Sequence, residues 1–500
     1  MGGAAAGAVA ATSWLCGATP KEFASVWPGI VPWRSNGGSP LACTVLFVAL
    51  GVMLYAWWAL RDLQVSARWV RGTVVVWFSP LLLSAPLFSR DIYSYAASGL
   101  LMVRGGDPYV QSVRDLSSPW VASVSRVWLD TPAPYGPLFM ELARLAAVGS
   151  GGHLIVAVAL LRLLAVGAVV IIGWAVMTSA ALLGTDPTRA AWLGLLTPIM
   201  GMHLVAGAHN DALMVAAMMS AVVLALRRRY GWAGVVLAAA MAIKAPAVVM
   251  LPFVAILAGA DCHHRPLTWV RLLARSVVFA TGVVVAFAVF CWGTGLGWSW
   301  LGNLSTPGES VQWTSLPTGL GMGVEALGTL FGRRLGSGPV VLLRDAGLVV
   351  LGAVLIVLWL RAATRARDRR HVVLCGGLAM LATVVLAPAF HPWYFLWALP
   401  LLAVTVTDRR SNTALAGVAS VLVPAVLPGG FSLALDTAWV GVPLCFVCTT
   451  ALGLRLVRRA RSASRHGIFT MAGTVDPAAN GLGPSTRQPG GDPPTYRSSA

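Results

Sequence analysis

Apolar stretches of about 17 to 25 residues follow one another along nearly all of this 500-residue chain, each long enough to cross a hydrocarbon layer of about 30 Å. Lipid offers a backbone amide no partner, so each stretch must satisfy its own hydrogen bonds as a helix. The implied fold class is all-α, a polytopic transmembrane helical bundle. About thirteen spans are expected, near residues 40–60, 69–88, 152–180, 190–207, 211–226, 231–244, 246–260, 276–292, 338–360, 372–389, 392–407, 411–427 and 437–456. Composition agrees: 57% of residues are hydrophobic and 11% charged.

The formal net charge of +18 would suit nucleic acid if a soluble basic domain carried it. No such domain exists, and no nucleic-acid partner is expected. The arginines sit instead in short loops between apolar stretches: Arg61, Arg68 and Arg71; Arg227 to Arg229; Arg265, Arg271 and Arg275; Arg361 to Arg370; Arg409 and Arg410; Arg455 to Arg461. Placing all of them in the cytoplasm is self-consistent only if 231–260 crosses twice and 293–337 never crosses fully. The outer face then receives a large first loop, 89–151, together with 293–337 and the turn at 389–392. Residues 1–39 form an amino-terminal segment in which 2–18 are a weak or truncated first span. Residues 40–460 form the transmembrane domain, and 461–500, rich in Ser, Gly, Pro and Arg, a disordered cytoplasmic tail.

Polar side chains that persist beside apolar stretches are functional candidates. Asp91, in Ser89-Arg90-Asp91-Ile92-Tyr93, opens a stretch with helical apolar spacing that reads as a helix lying in the membrane interface, Asp91 being either its cap or a functional carboxylate. Asp107 and Tyr109 stand in a Gly-Gly-Asp-Pro-Tyr turn. Tyr135 belongs to a proline-stiffened segment, 132–138, of the kind that supports a preformed site. His209, Asn210 and Asp211 interrupt two spans, with His203 just before them; that spacing matches no standard metal-ligand motif. Lys244, before Pro246, reads either as a snorkelling lysine or as a point charge for a lipid phosphate. His391 precedes Trp393 and Tyr394, which read as belt residues or as part of a site. The arginine-derived orientation puts Asp91, Asp107, Asp211, Lys244 and His391 on one face.

At these positions the sequence resembles actinobacterial polyprenol-phosphomannose-dependent α-1,6-mannosyltransferases, of the GT-C class of membrane glycosyltransferases. The likeness lies in 89–95, 105–109, 132–139, 202–214 and 392–398 and runs in order from about residue 40 to 456. It implies a GT-C-like bundle in the cell membrane. There a multi-pass enzyme would move mannose, on the extracytoplasmic side, from polyprenyl-phosphate-mannose to a lipid-anchored mannan such as the lipomannan core. It makes Asp91 the catalytic residue. A β-linked donor and an α product require inversion, so one carboxylate suffices as general base, since a phosphate leaves without a strong acid. Arg90, Lys244 and His209 are the candidate cations for the donor phosphate. Tyr93, Asp107, Tyr109, Tyr135, Asn210, Asp211, Trp393 and Tyr394 are the expected substrate-binding residues, and no metal or other cofactor is called for. The rival reading, a secondary transporter or flippase, would need ionisable residues along the bundle midplane. Only Arg162 and Arg344 stand out there, and the acids gather in outer loops.

Overall fold

A computed structural model describes residues 1–20, 39–62, 65–261 and 267–449. The chain divides after Phe446, and Met1–Phe446 forms the helical bundle. The tail expected at 461–500 lies outside the described residues. Among these residues the fold is all-helical, without strands.

The helices begin and end where local chemistry dictates. Helix α1 (Gly2–Cys16) is followed by α2 (Pro40–Ala59), which starts with a proline in its first turn and the Ser39 hydroxyl accepting from the Ala42 N–H; both features suit a helix start. Helix α3 (Ala67–Phe78) stops where Pro80 opens a 3-10 turn, so the span expected over 69–88 is not one continuous helix. Next come α4 (Asp91–Val103), α5 (Pro137–Gly149), α6 (Leu154–Leu182) and α7 (Pro187–Gly194). The span expected over 190–207 is also broken: α7 ends before Pro198, and Met200–Ala206 forms a π-turn bent by 112° against α8 (Asp211–Leu226).

Helices α9 (Tyr230–Ile243) and α10 (Leu251–Gly259) flank an extended Lys244 and a 3-10 turn containing Pro246. The Tyr230 hydroxyl donates to Asp261 at 2.8 Å, so the two ends of this segment meet and the chain doubles back with Lys244 at its tip. Next are α11 (Trp269–Gly293), α12 (Leu316–Leu330), α13 (Gly338–Thr364), α14 (Arg369–Leu386), α15 (Phe395–Thr405) and α16 (Arg409–Leu422), and after them the short helices Leu433–Asp436 and Ala438–Thr449.

Five of the described helices (α2, α6, α11, α13 and α14) are long and apolar enough to cross a membrane, or six if the bent pair is one span. The protein is therefore a membrane protein, with apolar side chains such as Val278 and Val285 of α11 and Val349 of α13 exposed on its outside. Helices α8 and α15 lie in its interior and are buried nearly all round. Helix α4, expected in the interface, is instead enclosed from Asp91 to Leu101. It packs so closely on α5 that a Cβ at Gly99 would stand 2.2 Å from the Ala143 carbonyl oxygen, a contact no other residue could make.

A common polarity runs through the bundle. Helices α8 and α15 start at Asp211 and beside Tyr394 and run to Arg227 and Asp408; α13 and α14 join Val341, Arg344 and Ala387 to Arg365 and Arg369. One set of ends surrounds a cavity, and the other carries the arginines of the described loops, where Arg61 and Arg409 both reach Asp62 and Arg228 reaches Asp261.

Candidate active site

The cavity measures about 1060 Å³, room for a sugar phosphate and an acceptor sugar together. Asp91, Trp128, Tyr135, Lys244, His391, Trp393, Tyr394 and Trp397 line one part of it, and Glu309, Arg344 and Asp345 another.

Asp91 opens α4, its N–H donating to the Ser89 hydroxyl at 3.0 Å. Its Oδ1 accepts from the Trp128 indole N–H at 3.0 Å, and its Oδ2 lies 3.4 Å from His209 Nδ1. That separation suits an ion pair when the imidazole is protonated and is long for a directed hydrogen bond; neither ring nitrogen of His209 has a hydrogen-bond partner. Burial pushes the Asp91 carboxyl up, but the adjoining His209 and His391 pull it down to about 2. It is ionised at neutral pH, held in place by an indole on one oxygen and open to the cavity.

Lys244 is committed differently. Its Nζ stands 2.8 Å from both carboxylate oxygens of Asp211 and 3.2 Å from Asn210 Oδ1. The rings of Tyr394, Trp397 and Tyr135 surround it at 5.1, 5.6 and 5.9 Å, a cation–π box. Asp211 is fully buried and also accepts from the Trp397 indole at 2.5 Å. The proline-stiffened segment supports this corner, since the Gly136 N–H donates to the Ile243 carbonyl at 3.1 Å. A Cβ at Gly136 would fall 2.2 Å from the Ala242 oxygen.

An aromatic wall closes one side. His391 stacks on Trp393 at 4.7 Å, Trp393 on His209 at 3.9 Å, and Tyr394 on Trp397 at 4.2 Å. Burial pushes the His391 imidazole down to about 4, so it is neutral at pH 7.

The other expected residues stand behind these. Arg90 does not line the cavity; its guanidinium donates to the Thr19 and Ser123 carbonyls at 3.4 and 3.1 Å. His209 is fully buried and also absent from the lining. Tyr93 donates to the Ala18 carbonyl at 2.5 Å. Asp107 closes its own turn by accepting from the Tyr109 N–H, and the Tyr109 hydroxyl donates to the Tyr135 carbonyl. Asn210 bonds Lys244 and Tyr95.

Trp128, Trp397 and Arg344 were not among the expected site residues. Trp397 stands three and four residues after Tyr394 and Trp393, so helical spacing could have placed it on their face. Trp128 has no such signal. A further feature appears only in three dimensions: Phe88 (φ 61°) and Ala208 (φ 50°) are left-handed non-glycine residues, and each immediately precedes a site motif. Such a backbone costs roughly 1–3 kcal/mol and persists where the surroundings impose it. The Phe88 N–H is tied to the Pro428 carbonyl at 3.1 Å.

Comparison with known proteins agrees with the motifs. The alpha-(1->6)-mannopyranosyltransferase N-terminal domain family matches residues 1–260, and the MptB C-terminal domain matches 317–458. Alpha-(1->6)-mannopyranosyltransferase A of Mycobacterium tuberculosis is 33% identical over 412 residues, 79% of this chain and 78% of that protein. Alpha-(1->6)-mannopyranosyltransferase B of Corynebacterium glutamicum is 26% identical over 465 residues, covering 84% and 75%. With more than half of the chain inside one family match and a relative of this identity and coverage, the chain belongs to the actinobacterial alpha-(1->6)-mannopyranosyltransferase family.

Proposed function

We propose that the protein is an inverting α-1,6-mannosyltransferase that takes mannose from polyprenyl-phosphate-mannose and adds it to a lipid-anchored mannan on the outer face of the cell membrane. The observation that carries this reading is the Asp91 carboxylate, ionised, oriented by Trp128 and exposed to a cavity large enough for both substrates. An acceptor hydroxyl attacks the anomeric carbon as the carbon–oxygen bond to phosphate breaks. The electron pair leaves on the phosphate, and the hydroxyl proton passes to Asp91. The aromatic wall of Trp393, Tyr394 and Trp397 offers flat apolar faces for sugar rings and keeps water from the reacting carbon. On this reading residues 40–460 form a GT-C-like catalytic domain of about thirteen crossings, the shorter helices around the cavity crossing in pairs.

The direct test is radiolabelled product formation in membranes supplied with prenyl-phosphate-mannose, the product then digested with a linkage-specific mannosidase. Labelled product resistant to an α-1,6-specific enzyme would refute the linkage, and use of nucleotide-mannose alone would refute the donor. Sidedness has its own test. Ser117→Cys, at an exposed position in the 89–151 segment, in a background without other cysteines, is expected to react with a membrane-impermeant maleimide in intact cells. Labelling only after lysis would put the site on the cytoplasmic side.

The acid limb of kcat/KM should report His391. Its imidazole is depressed to about 4 by burial, so the neutral form persists on acidification until near that value, where protonation would put a charge into the aromatic wall. An acid limb centred near 6.5 would show that His391 titrates as an ordinary exposed histidine.

A further inference from the structure

Four residues of the cavity lie on α13, and three of them define one face of that helix. Val341, Arg344 and Leu348 are spaced by three and four residues, which superimposes them along a helix, and all three line the cavity with Asp345. Arg344 donates from Nε to the Thr318 hydroxyl at 2.9 Å and from Nη1 to the Gly308 carbonyl at 2.8 Å. Both acceptors are neutral. Its Nη2 is buried without a hydrogen-bond partner. Lys244, the other cation of the cavity, is already neutralised by Asp211 at 2.8 Å. Asp345 and Glu309 border the same space, but neither is ion-paired with Arg344 among the described residues.

An arginine fixed by two neutral acceptors keeps its full charge for a third, and a guanidinium matches the geometry of a phosphate. Apart from Asp345 and Glu309, the wall near Arg344 is apolar: Val341 and Leu348 on α13, and Val248 and Val249 of the 3-10 turn facing the same cavity. Val248, Val341 and Leu348 are each about half exposed, so this part of the cavity opens sideways on the surface of the bundle. A charge set in an apolar groove that reaches the outside fits a ligand with one anionic group on a hydrocarbon chain.

We propose that Arg344 holds the phosphate of the lipid donor, with the first units of the prenyl chain leaving between Val248–Val249 and Val341–Leu348. The assignment rests on the donor reading above. It replaces Arg90 and His209 as phosphate cations and leaves Lys244 to keep the Asp211 corner in shape.

The test uses the purified full-length protein, farnesyl-phosphate-mannose as donor, a synthetic α-mannoside as acceptor and farnesyl phosphate as inhibitor. Arg344→Gln is expected to raise the donor KM about 10- to 100-fold, the worth of one charge-assisted contact. Inhibition by farnesyl phosphate should weaken in parallel, and the acceptor KM should stay unchanged. Arg344→Lys should recover part of the donor affinity. An unchanged donor KM in Arg344→Gln, or a rise in the acceptor KM instead, overturns the assignment while leaving the donor reading intact. A wild-type protein that ignores farnesyl-phosphate-mannose but uses nucleotide-mannose overturns both. Photolabelling of the wild type with a diazirine-bearing prenyl phosphate decides independently of any variant's folding. Label in Gly338–Thr364 that farnesyl phosphate displaces supports the groove, and displaceable label confined to other helices overturns it.

Discussion

Asp91→Asn should lower kcat by about 10²- to 10⁴-fold, the range for losing a positioned general base, with little change in either KM. The substitution is nearly isosteric, and the amide oxygen can still accept from the Trp128 indole at the 3.0 Å geometry of the carboxylate. What it removes is the negative charge and the ability to take a proton. The measurement is initial-rate kinetics on detergent-purified protein whose elution and melting match the wild type. A variant that turns over at more than about a tenth of the wild-type rate would assign the proton to another acceptor.

Asp211→Asn is the second large effect, and it falls on stability. Removing one member of a buried ion pair leaves the other charge uncompensated, typically at a cost of about 3–5 kcal/mol. Here Asp211 is fully buried and the Lys244 side chain 12% exposed, so Lys244 would remain charged inside its aromatic box with only the two amides for company. The melting temperature in detergent should fall well below that of the wild type. Lys244→Met should do likewise, by stranding Asp211 without its cation. The double substitution should cost clearly less than the sum of the singles, because contacting residues are coupled. Strictly additive losses would mean that the pair does not hold the tip of the α9–α10 hairpin.

How much of the molecule was legible in the sequence depends on how far each signal reaches along the chain. Arginine placement and apolar length are local, and they put Asp91, Asp107, Asp211, Lys244 and His391 on one face; of these the cavity is lined by Asp91, Lys244 and His391. Side-chain partnerships are not local. Trp128 and Asp91 are 37 positions apart and Trp397 and Asp211 are 186 apart, and no periodicity joins them. Asp107 illustrates the reverse difficulty, since a Gly-Gly-Asp-Pro-Tyr turn has the same letters whether its carboxylate meets substrate or, as here, its own backbone. Helix continuity was equally hidden. The 69–88 and 190–207 stretches are predominantly apolar, and apolarity does not distinguish a continuous helix from one broken at Pro80 or before a π-turn.

Arg162 of α6 ties this architecture together. Its guanidinium donates to the Leu82 and Ser84 carbonyls at 3.1 and 2.5 Å and to the Ala206 carbonyl at 2.9 Å. The first two belong to the stretch of chain that delivers Asp91, and the third closes the π-turn that delivers His209. A single side chain thus fastens both approaches to the same long helix, and neither can shift without breaking bonds to a charged group in a dry interior. Substrates meet a corner that is assembled in advance. A corner fixed in this way has no closure step to wait for, so slowing in a viscous medium should track product escape rather than closure around Asp91.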